Sequence, residues 1–170
     1  ALNSKTNMAE AERRWALFWN KLDRACYGKS RTQVRVPRMV FSHQGSNRDN
    51  PHIHFLTKAV GDAREFCVLL NALWVGLEGA GAAIADQNEI LPVISKRHAA
   101  WYMLHEDHAG EMLGFSATLT AFDQPAARLR DNALTKLRSM ADRFQYIADA
   151  EAAYDKNLVL ATERYNRRNR

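Results

Sequence analysis

Apolar residues recur every three or four positions between residues 8 and 26. Trp15, Phe18, Trp19 and Leu22 share one face, Glu10 and Glu12 lie near the start, and Lys21 and Arg24 lie near the end. That spacing and charge bias predict a helix, which Gly28 stops. Residues 34 to about 42 read as a strand whose Pro37 implies an edge position or an irregular start. Gly45-Ser46-Asn47-Arg48-Asp49-Asn50 is a dense turn signal, and residues 52–57 read as the return strand of an antiparallel hairpin. A second helix is predicted over residues 62–77, with Phe66, Leu69, Leu70, Leu73, Trp74 and Leu77 as its core stripe. Residues 90–94 read as a short strand. Ser95 then caps a helix to about residue 106. Residues 114–122 alternate weakly and are read as a further strand. From Pro125 the pattern is helical, with one segment to about residue 147 and another to about 162.

Helix, hairpin, helix, strand, helix, strand and helices in that order imply an α+β fold. Residues 1–7 are read as the remnant of an edge strand. The expected division is a domain over residues 1–122 and a C-terminal helical extension with a basic tail over 123–170.

Composition changes this picture little. The apolar fraction is 46% and the charged fraction 25%, as in ordinary globular chains. No apolar run approaches a membrane span and no signal peptide is visible, so a cytosolic setting is expected. Cys26 and Cys67 fall on apolar helix faces and are expected to be reduced, buried thiols. The net charge of +5 owes much to the last ten residues, without which 20 basic residues face 18 acidic ones. A local cluster says more: Lys21, Arg24, Lys29, Arg31, Arg35 and Arg38 are opposed only by Asp23. Such a field suits a phosphate backbone.

The candidate chemistry starts at Pro51-His52-Ile53-His54-Phe55. Strand side chains alternate, so His52 and His54 point the same way, about 7 Å apart along the strand. Two neutral imidazoles on one face can share a divalent ion. With six His in 170 residues, chance supplies such a pair in roughly one chain in five, so context must carry the argument. His43 and Gln44 end the preceding strand, and the hairpin brings one of them beside His52. His43 is the favoured third ligand, with Gln44 the alternative. A second dense stretch, Lys96-Arg97-His98-Ala99-Ala100-Trp101-Tyr102-Met103-Leu104-His105-Glu106, places His105 and Glu106 three and four residues after Tyr102. Both positions share a helix face with it, and Glu106 is a further candidate ligand. A phenol beside a metal-bound phosphate is a competent nucleophile.

In this order and spacing the two stretches resemble the HUH endonucleases, above all the rolling-circle replication initiators. His52-Ile53-His54 corresponds to that family's His-hydrophobic-His strand. Trp101-Tyr102-Met103-Leu104-His105 corresponds to its tyrosine helix, with His105 where the family usually has Lys. The resemblance covers roughly residues 1–120. It implies an antiparallel sheet of about five strands flanked by helices. It also implies site-specific nicking and rejoining of single-stranded DNA at an origin hairpin, through a 5′-phosphotyrosine link at Tyr102. It further implies Mn²⁺ or Mg²⁺ as the ion, with His43 or Gln44 in the place of the remaining ligand. Lys96 and Arg97 join Lys29, Arg31, Arg35 and Arg38 as DNA-contact candidates. His105 in place of Lys implies a more pH-dependent activity. No Gly-x-x-x-x-Gly-Lys-Ser/Thr occurs, so either the chain is a nuclease domain of a longer protein or a host helicase is an expected partner.

Other His-x-His enzymes fit less well. Histidine-triad hydrolases need a third His where Leu56 stands, and two-histidine phosphodiesterases need two His-x-Thr/Ser motifs, which are absent. A non-catalytic origin-binding scaffold and a relaxase- or transposase-type nuclease remain the alternatives. Tyr27, Tyr146, Tyr154 and Tyr165 are the rival nucleophiles.

Overall fold

The computed structural model describes residues 7–28, 34–43, 51–78, 85, 88–103, 114–122 and 128–168, with backbone alone at Glu78, His98, Trp101, Tyr102 and Arg168. The chain is α+β. Five α-helices and two strands occur among the described residues: α1 (Met8–Tyr27), β1 (Arg38–His43), β2 (His52–Thr57), α2 (Ala63–Glu78), α3 (Lys96–Met103), α4 (Ala133–Asp142) and α5 (Ile147–Arg168).

Local chemistry sets the helix ends. The Asn7 side chain accepts from the Glu10 N–H at the start of α1, and Gly28 closes it with φ 86°. The Asp62 carboxylate likewise accepts from the Glu65 N–H at 2.8 Å, capping α2. The 3–4 stripes meet where they were expected to. Trp15, Phe18, Trp19 and Leu22 of α1 join Phe66, Leu69, Leu70 and Leu73 of α2 in one core. Leu137 and Ala141 of α4 and Ala150, Ala153 and Tyr154 of α5 belong to the same core. The C-terminal helices therefore complete the packing of α1 and α2. Each large side chain buried this way stabilises the fold by about 1.5–3 kcal/mol.

β1 and β2 form the antiparallel hairpin, in the register Phe41↔His54 and His43↔His52. The strand starts at Arg38, not Val34. Pro37 has no N–H to give a ladder, but its carbonyl accepts from the Lys58 N–H (3.1 Å) and the Thr57 hydroxyl (2.9 Å). The outer edge of β1 meets residues 114–122 only through isolated bridges, Phe41↔Phe115 and Arg38↔Ala121. A turn over residues 117–119 interrupts what alternation alone read as a continuous strand. Residues 90–94, also expected as a strand, carry no ladder. Amides tether the chain just ahead of that segment: Asn71 donates to the Ala85 carbonyl, Asn88 to Asn71 and Asn157 to the Asn88 carbonyl. Among the described residues the sheet has two strands, and residues 1–6 lie outside them.

α3 begins just after Ser95, as expected, and packs against β2. No helix among the described residues is long and apolar enough to cross a membrane.

Candidate functional site

Opposite residues in an antiparallel pair share a sheet face. Val40 and Phe55 therefore face the helices, where the Phe55 ring meets Trp19 edge-on at 5.1 Å. Phe41, His43, His52 and His54 lie on the other face. The ring centroids are 5.8 Å apart for His43–His52, 5.1 Å for His43–His54 and 5.0 Å for His52–His54. Each imidazole is thus a neighbour of the other two. His43 is buried and the other two half-buried.

The spacing can be tested against a shared ion. With a metal–nitrogen distance of about 2.1 Å, ring centroids of two ligands on one ion stand about 4.5–5.5 Å apart. Two of the three separations fall in that interval and the third lies just outside it. Nevertheless, among the described residues no group of three or more His, Cys, Asp or Glu side chains is arranged to hold a metal as it stands. Spacing and arrangement thus give different answers, and spacing weighs more. Backbone register sets which rings are neighbours, and the second side-chain torsion of His is broad, so His52 and His54 can turn their nitrogens toward His43. Three imidazoles fit Mn²⁺ or another transition ion better than Mg²⁺, which favours oxygen ligands.

Two neighbours seat His43. The Phe41 ring stacks parallel to it, 6.3 Å between centroids with 8° between planes, and Phe115 meets Phe41 edge-on. The backbone of Gly114 lies over the imidazole, so that a Cβ there would meet His43 Cε1 at 2.7 Å and both ring nitrogens at 3.1 Å. Two hydrogen bonds pin this approach: Ser42 N–H to the Gly114 carbonyl at 2.6 Å, and Ser116 N–H to the Val40 carbonyl at 2.9 Å. Composition and periodicity did not single out Gly114. Its one visible signal is a glycine at the start of a weakly alternating segment.

Tyr102 stands near the end of α3, the helix that packs against the His52–His54 strand. Gln44, His105, Glu106, Lys29 and Arg31 lie outside the described residues. Lys96 and Arg97 are exposed at the start of α3. Arg35 is half-buried and donates to the Thr118 carbonyl at 3.2 Å.

Comparison with family models, with curated proteins and with solved structures gives no match. The site therefore rests on its own geometry.

One expected DNA contact is corrected. Arg38 is 5% exposed, and its guanidinium grips both carboxylate oxygens of Asp23 at 2.7 and 3.0 Å. It also donates to the Leu119 and Val36 carbonyls and lies 4.6 Å from the Trp19 ring centroid. Asp23 Oδ1 accepts from the Val36 N–H as well. These bonds tie α1, the start of β1 and residues 119–121 together. Arg38 is a structural cation, buried away from any phosphate. Sequence counting treated Asp23 as a lone opposing charge when it is the internal partner of one member of the cluster.

Both cysteines are free, buried thiols. Burial, aided by Asp23, pushes the Cys26 thiol up to about 12, and burial with Asp62 pushes Cys67 to about 11. Neither is a thiolate at neutral pH. Of the rival tyrosines, Tyr154 is core-packed and Tyr27 and Tyr146 pack partly against the core. Tyr165 is 37% exposed on α5 and lines a cavity that His54 also lines.

Proposed function

We propose that the chain is a metal-dependent nickase of single-stranded DNA that cuts and rejoins through a tyrosine ester, as in rolling-circle initiation. The observation that carries this reading is the triplet His43, His52 and His54 on one hairpin face, with ring centroids 5.0–5.8 Å apart, two of them on β2, the strand against which α3 packs. An ion held by these imidazoles would polarise the scissile phosphoryl oxygens. Tyr102 supplies the attacking phenol oxygen. Its O–P bond forms as the bond from phosphorus to the 3′ oxygen breaks. The phenol loses its proton, the departing oxygen gains one, and the 5′ end stays on the protein. The ester retains the phosphodiester energy, so reversal rejoins strands. His105 is assigned the handling of the phenol proton. A helicase, in a longer form of this chain or in a host partner, would supply the unwinding.

The test is a single-stranded oligonucleotide with Mn²⁺, wild type against Tyr102→Phe and Tyr165→Phe. Wild type and Tyr165→Phe are expected to give a covalent adduct that survives denaturation, mapped by mass spectrometry to Tyr102, and Tyr102→Phe none. No adduct with wild type would leave the non-catalytic origin-binding reading. An adduct on Tyr165 would move the nucleophile to α5.

A further inference from the structure

Beside the imidazole face lies a cavity of about 220 Å³. Its walls come from four elements. β2 contributes His54, the segment ahead of α3 contributes Ile90 to Ile94, α3 contributes Ala99 and Met103, and α5 contributes Ala161 and Tyr165. At its rim Arg164 donates to Glu89 at 2.6 Å, so an ion pair joins α5 to that segment. We propose that this cavity takes one unstacked base of the single strand next to the phosphate handled by the histidines, with preference for a base that carries an exocyclic amine. The inference rests on the nickase reading and adds a base-recognition subsite to it.

Four observations point to a base. The volume is below the about 300–1,000 Å³ usual for drug-sized ligands, so it suits one or two fused rings and not a whole nucleotide. The walls are largely aliphatic, and Tyr165 adds an aromatic ring on which a base can stack. His54 belongs both to the cavity wall and to the imidazole triplet, so a base here lies within a nucleotide's reach of that face. The exposed Lys96 and Arg97 directly follow Ser95, another wall residue, and give a strand's phosphates cations along the outside. Glu89 is the discriminating group. Its carboxylate accepts hydrogen bonds only, and so favours the two-donor exocyclic amines of cytosine, adenine or guanine over thymine, whose one base donor is its ring N–H. Arg164 neutralises that carboxylate and can donate to a ring nitrogen or carbonyl.

The experiment measures binding of fluorescently labelled 12-mers by anisotropy in low salt with Mn²⁺: oligo-dC, oligo-dA, oligo-dT and an abasic strand of equal length. Wild type is expected to bind dC or dA about tenfold more tightly than the abasic strand, the scale of one stacked base. Thymine is expected to fall between them. Ala161→Trp, which fills the cavity, should bring every strand to the abasic level. Glu89→Gln, an exposed and conservative change, should narrow the gap between dC and dT with the fold intact. Equal binding of all four strands by wild type overturns the proposal, and is what a groove for a protein partner would give. Preserved base preference in Ala161→Trp overturns it too. The adduct assay separates the two readings: base-dependent binding without an adduct keeps the subsite and sinks the nickase. An adduct with base-independent binding does the reverse.

Discussion

Replacing Gly114 with Ala tests the seat of the third histidine directly. The added Cβ would lie 2.7 Å from His43 Cε1 and 3.1 Å from Nδ1 and Nε2. Carbon atoms in contact prefer about 3.5–4.0 Å, so something must yield by at least about 0.8 Å. The backbone resists, because the Gly114 carbonyl accepts from Ser42 at 2.6 Å and the Ser116 N–H donates to Val40 at 2.9 Å. The ring cannot retreat far, because Phe41 stacks on its flank and His52 and His54 stand beside it. Overpacking of this kind costs about 1–3 kcal/mol, against which alanine's lower unfolded-state entropy returns about 0.4–1 kcal/mol. A metal site tolerates displacements of about 0.2 Å, so the larger effect falls on affinity. A tenfold to hundredfold weakening, about 1.4–2.7 kcal/mol, is expected, as for other groups that orient a ligand. Titration calorimetry with Mn²⁺ measures it, and thermal denaturation without metal measures the packing cost. Unchanged affinity in Gly114→Ala would refute the claim that residue 114 seats His43. Failure of the wild-type protein to bind any divalent ion would remove the metal site itself.

Asp23→Asn should destabilise the protein by about 3 kcal/mol, since it leaves the Arg38 cation buried without its charge partner. For a chain of this size that corresponds to a fall in Tm of about 6–12 °C. A loss under about 1 kcal/mol would show that Arg38 is not a structural cation. Cys26 and Cys67 should react with a disulfide reagent far more slowly at pH 8 than after unfolding, because both thiols are raised by burial. Rapid labelling of the native protein would contradict their placement. The same shifts fix a sign for stability. Between the ordinary thiol value of 9.0 and about 11–12 the folded chain holds protons that the unfolded chain has lost. Stability is therefore complete below pH 9 and falls as pH rises through that window, which urea denaturation at pH 8 and pH 10 would detect.

What the sequence determined by itself is the local part of this protein. Helical stripes such as Trp15, Phe18, Trp19 and Leu22, the stop at Gly28 and the cap at Asp62 follow from spacing and backbone chemistry within a few residues. The hairpin follows equally, because a dense turn between two apolar runs leaves little choice of pairing. It puts His43 opposite His52, so the candidate ligand set was legible in the order of residues alone. Strand continuity in residues 90–94 and 114–122 was not, because a ladder depends on what lies alongside: the first segment carries no ladder, and a turn breaks the second into two bridges. Charge was the least legible property. A count of cations cannot tell that Asp23 draws Arg38 into the interior from another element, nor that Arg164 meets Glu89 across a cavity. The Gly114 backbone against His43 is a contact between residues 71 positions apart in sequence, so spacing carries no trace of it. Sequence chose the chemistry to be gathered, and only long-range packing decided which charges remain available and how the third imidazole is held.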